Sequence, residues 1–233
     1  YAFSILITAA ISVYLFRSYI SFSSFSFRVS REFLHYTWPV SVSELLTASS
    51  AILYITVLKY YGGEHEVGLY GLAVTIASLV NIFPQMILPV FFPVISQLFS
   101  QGVSIRDVYK KTVLLLLGTS FLSAVVLLLG SRFGTGLFVG SSYFPALPMV
   151  PYLIAAYMMY IVFVWYNRQL LDMAGLTRIN LLLTAVRIII TLAVLFLSAP
   201  AVSGIHMAIA FGAGWFVEGV LCLSFIHQKR LLI

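Results

Sequence analysis

The chain has 233 residues, 61% of them hydrophobic and only 9% charged, with 13 Lys+Arg against 7 Asp+Glu. A soluble domain carries about 25% charged residues, and a globule with so few could not cover itself in water. The composition therefore excludes a soluble enzyme, a nucleic-acid-binding domain and a disordered chain, and makes lipid the main solvent. The net charge of +6 reads as loop charge that orients the chain in a bilayer rather than as a sign of an acidic partner. The single Cys222 excludes a disulfide framework and a Cys-based metal site.

A bilayer core about 30 Å thick takes about 20 apolar residues in a helix. Seven runs approach this length: 1–16, 34–58, 69–99, 113–130, 149–166, 179–199 and 205–226. The first is short, opens on Tyr1 without an initiator Met, and reads as the end of a helix from a longer protein. The connection 17–32 carries Phe22, Phe25 and Phe27 among serines. It reads equally as an interfacial segment dipping into the headgroups and as a plain linker. Lys and Arg alternate by connection: Arg17, Arg28, Arg31, Arg106, Lys110, Lys111, Arg168, Arg178, Lys229 and Arg230 make ten on one side. Only two, Lys59 and Arg132, fall on the other. Strict alternation predicts seven crossings with a cytoplasmic C-terminus in an all-α polytopic membrane protein.

The segment 69–99 contains Pro84, Pro89 and Pro93. Each proline removes a backbone donor and crowds the preceding turn, so this helix is expected to kink or unwind and to serve as a hinge. Three charges lie inside the runs: Glu44, Arg187 and Glu218. Counted from the nearest cytoplasmic edge, each lies about 14–15 Å deep, near the midplane. A charge there costs at least about 2.5–3.5 kcal/mol and is expected to face a cavity or a partner. Arg187 and Glu218, at matching depth on consecutive helices, read either as an ion pair or as cavity groups, with Arg187 contacting an anionic headgroup. Glu44 has no partner evident at its depth, which makes it a candidate proton or cation site; nearby serines and threonines are the alternative account. Gly204, Ala208 and Gly212 form a small-xxx-small face suited to close helix packing. His35, His65, His206 and His227 show no metal-ligand spacing, and Glu64, His65 and Glu66 read as a solvated outer loop. The sequence has no phosphate-cradling GK[ST] loop and no GxSxG or HExxH signature, so no enzyme chemistry is expected.

From Phe33 to about Arg230 a series of short motifs recurs in order. They are Trp38-Pro39, Tyr60-Tyr61-Gly62-Gly63, Val67-Gly68-Leu69-Tyr70-Gly71-Leu72-Ala73 and Pro93-Val94-Ile95-Ser96-Gln97-Leu98, followed by Lys110-Lys111. After these come Leu137-Phe138-Val139-Gly140, Tyr143, Ala146-Leu147-Pro148, Gln169, Gly175-Leu176-Thr177-Arg178 and Gly204. In these the chain resembles the C-terminal lobe of polysaccharide-biosynthesis flippases, relatives of the multidrug and toxic compound extrusion transporters. Where that family often has an acidic-basic pair, this chain has Tyr54-Ile55, so no coupling role is carried over to those positions.

The resemblance implies two six-helix lobes rocking about a central cavity. On that basis 1–16 would end a preceding helix, 17–32 would be a cytoplasmic linker and 33–233 one lobe, with the N-terminal lobe of the same protein as its partner. It further implies a cell-membrane carrier that translocates a lipid-linked oligosaccharide by alternating access. Arg187 would contact the diphosphate, and Glu44 and Glu218 would set cavity charge or couple transport to H+ or Na+. No other cofactor and no nucleic-acid partner is expected. The rival readings are an antiporter of drugs or organic cations and, from another class, a seven-helix receptor. Segment 205–226 lacks the Schiff-base lysine that a retinal protein of that kind needs.

Overall fold

The computed structural model describes residues 27–198, 202–229 and 231. Its elements are helices throughout, with no strand among the described residues. The chain divides into two units, Tyr1–Trp38 and Pro39–Ile233. Of the first, 27–38 are described, and they are helical. Segment 1–16 and most of the expected linker lie outside the described residues. Because α1 (Phe27–Ser78) already begins at Phe27, the last part of that linker is helix.

Within the second unit, α1 is broken at Gly63, where φ is 81° and ψ 175°, a conformation that side-chain-bearing residues rarely adopt. A 3-10 turn, Leu79–Asn81, leads into α2 (Ile82–Ser100). Pro84 explains this turn, because its ring crowds the carbonyl one turn back, at Val80, and removes the hydrogen bond that would continue α1. Pro89 and Pro93 lie inside α2. Gly102, with φ 68°, turns the chain into α3 (Arg106–Gly134), where Asp107 complements the positive end of the helix dipole.

A π-helical turn (Thr135–Val139) and a 3-10 stretch (Ser141–Met149) lead to α4 (Val150–Met159). The helix then widens into a π-helical segment, Tyr160–Trp165, and tightens again as α5 (Tyr166–Met173). Gly175, with φ 74°, closes α5: its own N–H bonds to the Asp172 carbonyl (3.0 Å), and that of Leu176 bonds to the Leu171 carbonyl (2.9 Å). α6 (Thr177–Leu197) and α7 (Gly204–Gln228) complete the fold.

Among the described residues, five helical runs are long and apolar enough to cross a membrane. The first, Phe33–Ser100, has 68 residues, which at 1.5 Å each gives about 100 Å, far beyond one bilayer. Broken at Gly63, it holds two crossing lengths. The described residues thus account for six of the seven segments expected, in an all-α polytopic membrane protein.

The buried side chains form two main apolar layers. One gathers Tyr54 and Leu58 before the Gly63 break, Leu69, Tyr70 and Ala73 after it, Leu153 of α4, Leu195 of α6 and Met207 of α7. The other gathers Leu88 and Ile95 of α2, Leu116 of α3, Leu170 of α5, Leu183 of α6 and Cys222 and Ile226 of α7. On α6 and α7 the buried residues between the two layers include Thr184, Arg187, Thr191, Gly214, Trp215 and Glu218.

Candidate functional site

Four helices bring charges into the zone between the apolar layers. Glu218 of α7 is completely buried and lies 3.3 Å from Arg187 of α6, measured Oε2 to Nε. Its other oxygen lies 3.8 Å from Nη1 of Arg168 on α5. Nη2 of Arg168 lies 3.8 Å from Oε1 of Glu44 on α1. The charges alternate in sign along this row, which is open at its Glu44 end and buried beyond it: side-chain exposure is 69% for Glu44, 11% for Arg168, 0% for Glu218 and 3% for Arg187.

Hydroxyl groups thread the row. Arg168 Nη2 donates to Ser43 Oγ. Thr184 donates its only proton to the Asn180 carbonyl (3.0 Å), so the Ser43 hydroxyl donates to Thr184 Oγ1 (2.9 Å). Arg187 Nη2 donates to Thr47 Oγ1 (3.0 Å), and its guanidinium carbon lies 4.0 Å from the centre of the Trp215 ring. Tyr160, at the start of the π-helical segment, packs against the same Trp215, with ring centres 4.2 Å apart and planes tilted by 55°. Such a desolvated cation–π contact contributes about 2 kcal/mol. Asn180 fastens α6 to the end of α5, donating to the Arg168 carbonyl (2.9 Å) and to Asp172 Oδ1 (2.6 Å).

The helices approach closely here because α7 carries Gly214. A Cβ at that position would fall inside 3.0 Å of Thr191 Oγ1, 3.1 Å from Arg187 Cγ and 3.2 Å from the Arg187 carbonyl oxygen. Gly214 precedes Glu218 by one helical turn, so the same close approach brings the carboxylate to Arg187. The small face expected from the sequence packs elsewhere: Gly204 sits against Met149, and a Cβ on Gly212 would make an ordinary contact with Ala156.

Of the two readings open for Arg187 and Glu218, the observed arrangement is the ion pair. Glu44, expected without a partner at its depth, has one in Arg168. The sequence places Arg168 in a cytoplasmic loop, because it follows directly on an apolar run. The helix continues to Met173, and the long side chain reaches inward from its last turns. The helix stop at Gly175, seven residues further on, was the signal that Arg168 is still helical. With Arg168 buried, the orienting charges on the basic side fall from ten to nine.

The expected solvated loop at 64–66 also needs correction. Glu64 does lie in solvent, paired with Lys59 Nζ at 2.8 Å. Glu66, however, accepts a hydrogen bond from the Gly204 backbone N–H (2.9 Å) and so caps α7. At the same helix end Ser203 and His206 form a reciprocal capping box. Pro84, Pro89 and Pro93 stay on α2 and supply no group to the charge row. Among the described residues no cluster of His, Cys, Asp and Glu has the arrangement of a metal site.

The family described as "Polysaccharide biosynthesis protein" matches over residues 3–148. That span includes Glu44, Glu66 and the motifs from Trp38 to Pro148, and stops short of Arg168, Arg187 and Glu218. No curated protein matches. No solved structure matches.

Proposed function

The chain belongs to the polysaccharide biosynthesis protein family, and from that premise we propose that it is a lobe of a flippase that carries a lipid-linked oligosaccharide across the cell membrane by alternating access. It acts as a carrier rather than an enzyme, and its C-terminus lies in the cytoplasm, on the side of the nine basic residues. A counterpart lobe of the same protein would complete the cavity.

The observation that carries this reading is the charge row. A static bundle gains little from burying ion pairs, since apolar side chains of equal volume hold helices at least as well. Four ionisable groups at mid-depth, graded from open to sealed, instead suit a polar path for a headgroup. The lipid tail remains beside the apolar outer faces of the helices, which expose side chains such as Phe121, Leu122 and Leu129. Arg187 holds Glu218 within the wall of the path, Glu44 and Glu218 set its charge or couple it to H+ or Na+, and the prolines of α2 let that helix bend as access alternates.

The test is translocation in proteoliposomes. The full-length protein, reconstituted with a fluorescent isoprenoid-diphosphate sugar, should expose the sugar to an external quencher at a rate that empty liposomes do not show. A protein with Arg187 intact that moves no lipid-linked sugar refutes the proposal.

One observation favours a second reading, an antiporter of organic cations: the most exposed member of the row is a carboxylate, Glu44. Under that reading an expressing strain tolerates cationic drugs, and loses the tolerance with Glu44→Gln.

A further inference from the structure

Arg168 stands between two carboxylates and is hydrogen-bonded to neither. Both contacts measure 3.8 Å, whereas a charge-assisted N–H···O bond closes at about 2.7–2.9 Å. The hydrogen bond that Arg168 does make from its guanidinium goes to the neutral Ser43 hydroxyl. A guanidinium offers five N–H donors in a planar fork. This one is therefore held by attraction from two sides, with much of its capacity for a bidentate anion unspent.

The two carboxylates differ in their freedom to leave. Glu218 is sealed and already shared with Arg187, which is itself fixed by Trp215 and Thr47. Glu44 is 69% exposed and sits at the open end of the row. Only the Glu44 half of this pair is open to its surroundings, and Arg168 keeps Glu218 beside it when Glu44 swings away, so the buried cation is not stranded.

We propose that Arg168 is an anion-exchange site in which Glu44 is a tethered competitor: an incoming phosphate or diphosphate group displaces the Glu44 carboxylate and occupies the guanidinium fork. The identity of the anion as a lipid headgroup rests on the flippase reading. The assignment moves the headgroup contact from Arg187 to Arg168, because Arg187 is both sealed and engaged. Exchange leaves Arg168 paired at every stage, so no uncompensated cation is stranded at mid-depth as the headgroup enters or leaves. Glu44 also provides selectivity. A neutral sugar lipid cannot displace it, and a headgroup with one diffuse negative charge competes less well than a diphosphate, whose oxygens match the fork.

The experiment measures binding to the full-length protein in nanodiscs of zwitterionic lipid, with a short isoprenoid diphosphate and with inorganic pyrophosphate as probes. Glu44→Gln should bind the isoprenoid diphosphate roughly 3–10-fold more tightly than the wild type, because the competitor is gone. Arg168→Gln should bind it at least about tenfold more weakly. Tightening of both probes in Glu44→Gln supports recognition of the phosphate chemistry alone. Tightening of the isoprenoid probe only supports a site that takes its anion from the membrane. Equal or weaker binding by Glu44→Gln overturns the exchange. Binding that survives in Arg168→Gln and is lost in Arg187→Gln overturns the assignment and leaves the flippase reading standing. If neither the wild type nor Glu44→Gln binds either probe, both readings fall. Glu44 lies on an exposed face, so its substitution does not endanger the fold.

Discussion

Replacing Gly214 by alanine tests whether the close approach of α6 and α7 holds the charge row together. The added methyl would lie inside 3.0 Å of Thr191 Oγ1 and 3.2 Å from the Arg187 carbonyl oxygen. The hydroxyl can rotate, but it then gives up the bond it donates to the Arg187 carbonyl (3.0 Å), a loss of about 1 kcal/mol. The carbonyl cannot move without the helix, and forcing a methylene-sized group into a packed contact costs about 1–3 kcal/mol. The sum is roughly 2–4 kcal/mol of destabilisation relative to a Gly→Ala change that meets nothing, or about 1–3 kcal/mol net once alanine's helix preference is counted. Two controls isolate it. Gly212→Ala adds a methyl 3.5 Å from Ala156 Cβ, and Gly118→Ala adds one with nothing within 4 Å; both should be neutral or slightly stabilising, since alanine favours helix by about 1 kcal/mol. Reversible unfolding in mixed micelles titrated with SDS reads all three. The double variant Gly214→Ala, Thr191→Ala should recover part of the loss and no more, because the carbonyl contact persists. If Gly214→Ala proves as stable as Gly118→Ala, the helices are not in contact at this level, and the packing account of the Arg187–Glu218 pair fails.

Two further outcomes follow from the same geometry. Glu218→Gln leaves Arg187 and Arg168 without their shared carboxylate and should destabilise the fold by about 3–5 kcal/mol in the same titration; a loss below about 1 kcal/mol would show that the pair is not sealed from water. Glu66→Ala should weaken the start of α7 by about 1–2 kcal/mol, seen as faster amide exchange from Gly204 to Met207 while exchange from Val220 to Ile226 is unchanged. Uniform acceleration along α7 would contradict a local capping role.

Crossing segments were legible in the sequence because length and apolarity suffice for them, and Arg187 and Glu218 could be matched because their helices are consecutive and their depths equal. Arg168 was hidden by a counting convention. A charge at the end of an apolar run is scored as loop, although an arginine side chain spans more than one helical turn and can turn back into the protein. Glu66 was hidden because solvation accounts for any charge in a short loop, and its partner lies 138 residues away. Gly214 went unnoticed because a small-residue period identifies one packed face of α7, whereas this helix is packed on two. The π-helical segment that leads into α5 left no compositional trace, since Tyr160 to Trp165 is as apolar as its surroundings.

The sign-alternating row also has a consequence for biogenesis. Helices enter the bilayer in the order of synthesis, and Ser43, beside Glu44, is bonded to a residue that emerges 125 positions later. Through that interval α1 carries a mid-depth carboxylate with no cation to answer it. When α5 arrives, Arg168 comes to stand beside Glu44, α6 then adds Arg187, and the carboxylate that pairs with Arg187 follows only with Glu218, ten residues before the last residue of α7. A chain made only as far as Gly214 therefore holds Arg187 at mid-depth without the carboxylate that pairs with it, and an unanswered charge there costs about 2.5–3.5 kcal/mol. The charge row is thus electrostatically complete only once the last helix has been made.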